Sequence, residues 1–394
     1  MNIVVVDDSK ARRSYPVDAR LEEPSLQGKL VKISSESKEK SVLEILRAHF
    51  SGAKAVLYDA QNSALEARLE TLDLSPFEQE DFSMMLFTSG TTGTPTGVLK
   101  TKHNLEADVN ALVEKFGTFN PRVFVSTVPF IHVYGFLVGL MLPMRLGVDV
   151  VIKEHFLPHD LLEFAEAGSI VVTTPLYIKS LLRLDETKVL KETLFISSAG
   201  PLAPEIAQAF VEKFQTNLVQ IFGSTETGSV AFRSGSEVLW TPFEGVRVDV
   251  SEEGMLHVSS SFIADTLWDE TFTSTNGTIQ TFDYVQFESG KFQLIGRSHQ
   301  ILKVAGKRVG VANIEEMLEA MPQIQRVVVR IARDEAALKD ETLKIFVELK
   351  EPLEAKEIAK KVKGFLKNNT IPVHVALVEK IPTSATGKKI LPVL

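Results

Sequence analysis

Between residues 80 and about 230 the chain alternates short apolar or β-branched runs with amphipathic stretches. The runs MMLF (84–87), RVFVSTV (122–128), VDVVI (148–152), SIVVTT (169–174), LFISS (194–198) and LVQIF (218–222) have strand length and strand composition. Between them, HDLLEFAEAG (159–168) and PEIAQAFVEKF (204–214) carry apolar residues at helical spacing, and Pro204 suits a first helical turn. Strands alternating with helices predict a parallel sheet with helices on its faces. From 236 to 296 the spacing shortens to strands and turns, including EEGMLHVS and FESGKFQLIG, which predicts a small β subdomain. After Gly296 comes an α+β piece. NIEEMLEAM reads as a helix, QRVVVRIARD and LKIFVELK as strands, EAKEIAKKVKGFLKNN as a basic helix and VHVALVEKI as a strand. The expected fold class is α/β: a large N-terminal domain, 1–296, with parallel sheets flanked by helices plus the small β subdomain, and a small α+β C-terminal domain, 297–394. The boundary is expected near 296–299.

One apolar stretch, VSTVPFIHVYGFLVGLMLP (125–143), is long enough for a membrane span. Pro129, His132, Tyr134 and Pro143 interrupt it and strand-like runs flank it, so a buried strand–loop–helix is expected and no span. The first residues, MNIVVVDDSKARR, lack the basic start and long apolar run of a signal peptide. The 394 residues exceed one ordinary domain, and 44% hydrophobic with 24% charged residues are globular values. A net charge of −8 argues against a general nucleic-acid binder. With no cysteine there is no disulfide, thiolate metal site or cysteine nucleophile, which fits a cytoplasmic setting.

The chemistry concentrates in loops after strands. FTSGTTGTPTGV (87–98) leaves the run MMLF as a hydroxyl-rich, glycine-rich loop without an acid. Small residues let backbone N–H groups converge on phosphate oxygens, and hydroxyls add donors. A surface linker has similar composition, but this run follows a buried strand. A Walker-type loop is disfavoured because no Gly-Lys-Ser/Thr closes it. SSAGPL (197–202) offers exposed backbone to a flat ring, and FGSTETG (222–228) presents an aromatic, hydroxyls and Glu226. TFD (281–283) and Gly296-Arg297 supply an acid and a guanidinium, and the tail PTSATGKK (382–389) supplies cationic charge. A nucleotide needs such a kit: a base platform, an acid for ribose hydroxyls, phosphate donors, and an oxygen ligand for Mg²⁺.

These segments resemble, in order, motifs of the adenylate-forming superfamily of acyl-CoA synthetases, peptide-synthetase adenylation domains and luciferases. FTSGTTGTPTGV is similar to its phosphate loop and FGSTETG to its aromatic-Gly-x-Thr-Glu motif. IGRSHQILKVAGKRV (295–309) is similar to its hinge and following loop, and PTSATGKK to its C-terminal lysine motif. GSTETGSVAFR and the short chain are most similar to ligases of aryl-polyene and xanthomonadin pigment pathways. The resemblance implies attack of a carboxylate on the α-phosphate of ATP, giving an acyl- or aryl-adenylate and pyrophosphate, and then transfer to a thiol. It assigns Thr88, Ser89, Gly90, Thr91, Thr92 and Gly93 to pyrophosphate, and Ala199, Gly200 and Pro201 to the adenine. Phe222, Gly223 and Ser224 fall in the aromatic motif, with Phe222 as base platform. Thr225 is assigned to phosphate, Glu226 to Mg²⁺, and Asp283 with Arg297 to the ribose. Lys388 is implied to bridge the attacking carboxylate and the α-phosphate, and His132 in PFIHVYG to lie beside the acyl pocket. Lys303 and Gly306 match a loop presented for thioester formation once a mobile C-terminal lid rotates. The implied acceptor is the phosphopantetheine arm of an acyl carrier protein, to which the basic helix 354–369 is a candidate docking surface, with CoA as the alternative.

Several positions depart from that pattern. Thr96 stands where the family usually has Lys, and His299 where it has a hinge acid. The acids usual around the next helix fall at Gly310 and Asn313, leaving Glu315. The turn between Asp283 and Gly290 is a residue short, and the segment before the phosphate loop is far shorter than usual. These departures keep two rivals open: an AMP- or ATP-binding regulatory protein without catalysis, and an adenylating enzyme that transfers to an amine.

Overall fold

The structure, a computed structural model, describes residues 1–34, 36–88, 95–297, 301–304, 307–332, 342–366, 371–383 and 389. By packing, the chain divides into two compact units: Met1–Val248 with Val258–Ile279, and Asp249–His257 with Gln280–Leu394.

The strands of the first unit are, in chain order, β1 (Asn2–Val6), β2 (Arg12–Pro16), β3 (Leu30–Ser34), β4 (Lys54–Tyr58), β5 (Met84–Phe87), β6 (Gly97–Lys100), β7 (Val123–Ser126), β8 (Asp149–Ile152), β9 (Ser169–Thr173), β10 (Leu194–Ser197), β11 (Asn217–Ser224) and β12 (Gly228–Ser234). A nine-stranded sheet runs Thr241–Pro242, β12, β11, β10, β9, β7, β8, β1, β2. Its middle, from β11 through β1, is parallel, and the flanking strands are antiparallel. The expected alternation of strand and helix therefore produces the expected parallel sheet.

Three helices cover one face of this sheet: Pro158–Phe164, Pro175–Leu182 and Pro204–Phe214. Each begins with proline, whose missing N–H is not needed in the first turn. They pack on Val125, Val151, Val171, Phe195 and Leu218, alternate residues of five parallel strands, through Leu161, Ile178 and Phe210. A second, six-stranded sheet runs Thr271–Ser274, Thr266–Asp269, β6, β5, β4, β3. Here β3, β4 and β5 are parallel, whereas β6 returns antiparallel to β5.

The apolar stretch 125–143 becomes β7, a loop and a helix, as expected. The helix starts at Val133–Phe136, widens to a π turn at Leu137–Met141 and ends as Leu142–Leu146. Gly135 fits because a Cβ there would lie 2.0 Å from the Pro129 carbonyl oxygen. Pro143 has no N–H to give the preceding turn, and the backbone widens there instead. Among the described residues no helix is long and apolar enough to cross a membrane.

In the second unit residues 283–288 of the strand Thr278–Glu288 pair antiparallel with Lys291–Arg297 through Ser289 and Gly290, at φ 50° and 79°. Two left-handed residues make the tight hairpin turn that matches strand twist. Ile301–Val304 pairs with Lys307–Gly310. The helix Val311–Glu319 and the helix Ala355–Leu366 then pack on a three-stranded sheet of Ile324–Ala332, Thr342–Leu349 and Val373–Val378. Its core joins Ile314, Leu318, Val327, Ile345, Ile358 and Val362. The helices and strands expected after Gly296 are all present. The functional division expected at 296/297 remains a proposal, since residues 298–300 lie outside those described.

Candidate active site

The hydroxyl-rich run 88–96 connects β5 to β6. Phe87 pairs with Gly97. Beyond that pair the Thr88 N–H donates to the Thr96 carbonyl at 3.0 Å, and the Thr96 N–H donates to Thr88 Oγ1 at 3.2 Å. The mouth of the loop is thus closed by two threonines, one of them at the position where the resemblance predicts lysine. Arg68 braces the same end, donating to the Pro95 carbonyl at 3.2 Å with its guanidinium 4.2 Å from the Trp268 ring centre. Gly97 is required by packing, because a Cβ would sit 2.3 Å from Met85 Cε. The chain returns as a strand rather than a helix, which separates this loop from a Walker loop. Ser89, Gly90, Thr91, Thr92 and Gly93 lie outside the described residues.

β10 and β11 are parallel neighbours, Ser197 beside Gln220, so the segments that follow them share one sheet edge. Ser198 Oγ donates to the Ile221 carbonyl at 2.8 Å and ties them together. Ala199 has φ 68°, a left-handed backbone that strains a residue with a Cβ. Ala199, Gly200 and Pro201 are exposed, as a backbone platform requires. Phe222, Gly223 and Ser224 belong to β11 itself, not to the loop after it, so the loop is only Thr225, Glu226 and Thr227. Phe222 tilts against Trp240, ring centres 5.7 Å apart, at a bulge between Phe222 and Gly223. A Cβ on Gly223 would lie 2.1 Å from the Gly228 carbonyl oxygen.

The turn is braced from within and below. Thr227 Oγ1 accepts from the Ser224 N–H at 3.0 Å and Ser224 Oγ from the Thr227 N–H at 3.2 Å. The Glu226 carbonyl accepts from the Ala264 N–H at 3.0 Å and from Lys100 Nζ at 3.1 Å. Lys100 is 1% exposed, and burial drives its pKa down to about 8 against the pull of Asp108, Glu226 and Asp265. Asp108, equally buried, accepts from the Ser229 N–H at 3.0 Å, and burial raises its pKa. Against this fixed backbone, the Glu226 carboxylate is half-buried and makes no hydrogen bond among the described residues. A hard oxygen donor of this kind fits Mg²⁺, which uses one or two carboxylates plus substrate phosphates instead of an all-protein cage. No group of three or more metal-capable side chains occurs among the described residues.

His132 precedes the helix that begins at Val133. Burial lowers its pKa, opposed by the charge of Asp59 just beyond β4. Tyr134 Oη donates to the carbonyls of Thr173 and Ile196, at 3.0 and 2.7 Å, at the ends of β9 and β10.

In the second unit Asp283 and Arg297 face each other across the hairpin, with Arg297 Nε 3.2 Å from Asp283 Oδ1. The two expected ribose ligands are thus brought together on one pleat. Lys303 lies on the strand Ile301–Val304, paired with Arg308; Gly306, His299 and Lys388 lie outside the described residues. Lys389, which the sequence reading did not single out, donates to Glu315 at 2.6 Å, Glu319 at 2.9 Å and the Val327 carbonyl at 2.6 Å. Burial opposes its charge, but the two glutamates prevail and raise its pKa. Gly310 occupies a family acid position for a local reason: a Cβ would be 2.5 Å from the Ile295 carbonyl oxygen.

Sequence reasoning missed Asp59, Lys100 and Asp108. A lysine closing the strand GVLK carries the signal of an outward residue, and only the layers around β6 bury it.

Comparison with known proteins adds family and fold. The chain is 26% identical over 280 residues to the probable CoA ligase CCL5 of Humulus lupulus, covering 62% of this chain and 51% of that protein. It is 25% identical over 386 residues to the mitochondrial malonate–CoA ligase ACSF3 of Xenopus laevis, covering 82% and 66%. The chain thus spans between half and two thirds of the length of these relatives. In fold it matches ATP-bound MatB of Rhodopseudomonas palustris with a TM-score of 0.81 at 16% identity, covering 98% and 94% of the two chains. It matches O-succinylbenzoate coenzyme A synthetase of Bacillus subtilis, in complex with ATP and magnesium ion, with a TM-score of 0.79 at 16% identity, covering 98% and 95%. These comparisons support the superfamily and do not select the pigment-pathway branch. The model of the AMP-binding enzyme family matches residues 4–254, and the chain belongs to that family.

Proposed function

We propose that the protein is an ATP- and Mg²⁺-dependent carboxylate ligase that forms an acyl- or aryl-adenylate, releases pyrophosphate and passes the acyl group to a thiol. The observation that carries the reading is the Glu226 turn, whose backbone is held from below while its half-buried carboxylate, which feels the charge of Lys100, makes no hydrogen bond among the described residues. Thr88 at the mouth of the loop between β5 and β6, and, at the end of the other sheet, the exposed Ala199–Pro201 backbone with Phe222 on the neighbouring strand support a nucleotide. Bound with the nucleotide, Mg²⁺ would neutralise phosphate charge as the carboxylate approaches. The roles of Ser89–Gly93, Asp283, Arg297, Lys303, Gly306 and Lys388 rest on the motif resemblance, as does the division at 296/297. Lys388 would stabilise the charge that builds between two anions, typically the largest catalytic contribution. A neutral His132 at the acyl pocket would accept or donate one hydrogen bond without adding charge.

The proposed acceptor is the phosphopantetheine thiol of an acyl carrier protein. The exposed lysines 356, 360 and 361 of the helix Ala355–Leu366 support it through charge. Free CoA is the second reading, favoured by relatives named as CoA ligases. A cytoplasmic setting is part of the proposal and is supported by the cysteine-free composition. The test is exchange of labelled pyrophosphate into ATP in the presence of a panel of aryl and fatty acids. Acid-dependent exchange is expected; no exchange with any acid sinks the reading. Offering holo-carrier protein and CoA separately to trapped adenylate then distinguishes the acceptors.

A further inference from the structure

Lys100 and Asp108 form a buried charge pair for which the assigned roles have no use. Lys100 ends β6, and Asp108 lies two turns into the helix Lys102–Phe116 that follows. Both are 1% exposed. Burying two charges is unfavourable unless their hydrogen bonds are well made, so a pair at this depth calls for a use. Lys100 Nζ donates to the Phe262 carbonyl at 2.5 Å and to the Glu226 carbonyl at 3.1 Å. Those carbonyls belong to two separate loops, and the ammonium is the clasp between them. Asp108 grips the other end of the same turn, its Oδ2 accepting from the Ser229 N–H at 3.0 Å. Gly228 between them has φ 72°, and a Cβ there would be 2.2 Å from Asp108 Oδ2. Asn104, one helical turn before Asp108, donates to the Ser261 carbonyl at 3.0 Å and so holds the second loop. Because both bonds of the Lys100 ammonium go to main-chain carbonyls, it does not replace the loop cation missing at Thr96.

We infer that Lys100 and Asp108 are positioning residues for metal binding, fixing the main chain of the Glu226 turn from beneath so that the carboxylate presents to a nucleotide-bound divalent cation. The inference rests on the proposed nucleotide chemistry of this turn. A carboxylate on a three-residue loop samples many directions unless its own carbonyl and the residues on either side are held. Here all three are: Ser224–Thr227 within the loop, Glu226 by Lys100, Ser229 by Asp108. Lost supporting groups typically weaken metal affinity 10- to 100-fold.

The test compares wild type with Lys100→Met, Asp108→Asn, the pair of substitutions together, and Lys100→Arg. ATP binding is measured by calorimetry across a Mg²⁺ titration, and amide hydrogen exchange is followed across residues 224–229. In Lys100→Met the Mg²⁺ concentration needed for half-maximal ATP binding is expected to rise about tenfold or more. Metal-free ATP binding should change less, and exchange across the turn should accelerate. Lys100→Arg keeps a donor for the carbonyls and is expected to recover part of the metal response. Where Lys100→Met leaves Asp108 uncompensated and the protein does not fold, the double substitution removes both charges and carries the same measurement. A folded variant lacking the lysine whose Mg²⁺ response matches wild type overturns the inference. Wild type that binds ATP with no dependence on Mg²⁺ overturns instead the proposed function beneath it.

Discussion

Replacing Gly228 by alanine tests the architecture under the Glu226 turn, with Gly235 as its control. Both glycines have positive φ, 72° and 52°. A Cβ on Gly235 would meet nothing within 4 Å, whereas one on Gly228 would lie 2.2 Å from Asp108 Oδ2 and 3.2 Å from Phe262 Cβ. Gly235→Ala therefore meets only the left-handed backbone strain of about 1–2 kcal/mol, partly offset by a stiffer unfolded chain, for a net loss of about 1 kcal/mol. Gly228→Ala carries the same strain and must also displace the Asp108 carboxylate from the Ser229 N–H. Leaving a buried donor and a charged acceptor unmatched adds about 1–3 kcal/mol, and crowding Phe262 adds a comparable amount. The expected gap between the variants is about 2–6 kcal/mol. Urea unfolding followed by tryptophan fluorescence reads it directly, because the two tryptophans, Trp240 and Trp268, both lie in the first packing unit. Equal midpoints for the two variants would falsify the tight contact between Gly228 and Asp108.

Lys388→Ala is expected to reduce acid-dependent pyrophosphate exchange about 10²- to 10³-fold, the scale of one lost transition-state donor; exchange within twofold of wild type would remove Lys388 from the chemistry. Tyr134→Phe deletes a buried hydroxyl that donates to the Thr173 and Ile196 carbonyls, and should lower stability by about 1–3 kcal/mol in the same fluorescence assay. Gly310→Ala pushes a Cβ to 2.5 Å from the Ile295 carbonyl; faster amide exchange is expected across 291–297, and unchanged exchange would contradict the contact. His132 has a pKa below its ordinary 6.5 in the fold, chiefly through burial. The unfolded chain thus takes its proton first, so the His132 contribution is intact above about pH 6.5 and declines as the pH falls further. His132→Asn should flatten the loss of stability between pH 6.5 and 5.

Most of the fold is legible in the sequence because its strands are central. A strand covered on both faces is apolar throughout, and SIVVTT and LFISS become β9 and β10 within a residue of their runs. The first eighty residues are less legible. β2, RRSYP, is an edge strand with mostly exposed side chains, and edge pairing imposes no hydrophobic pattern. Gly223 and Ser224 read as loop because glycine and serine signal turns, yet antiparallel pairing with β12 carries the strand through them. The motif residues announce themselves by type and spacing. Their supports do not: Lys100, Asp108 and Asp59 are ordinary charged residues whose use depends on layers brought in from distant sequence. The burial of Lys100 follows only once β6 is flanked by β5 and the strand Thr266–Asp269, with the Phe262 loop above it.

The widened turn at Leu137–Met141 has an evolutionary corollary. A π turn holds one residue more than an α turn needs, so it marks a place where the chain length can change by one without breaking the helix. Deleting one residue there would leave a regular helix ending at the same Gly147 and rotate what precedes it only slightly, because the π turn and the α turn that replaces it sweep nearly the same angle. His132 and Tyr134 would then keep their places at the strand ends. A single-codon change could thus shorten the chain inside this helix and leave the wall beside His132 standing.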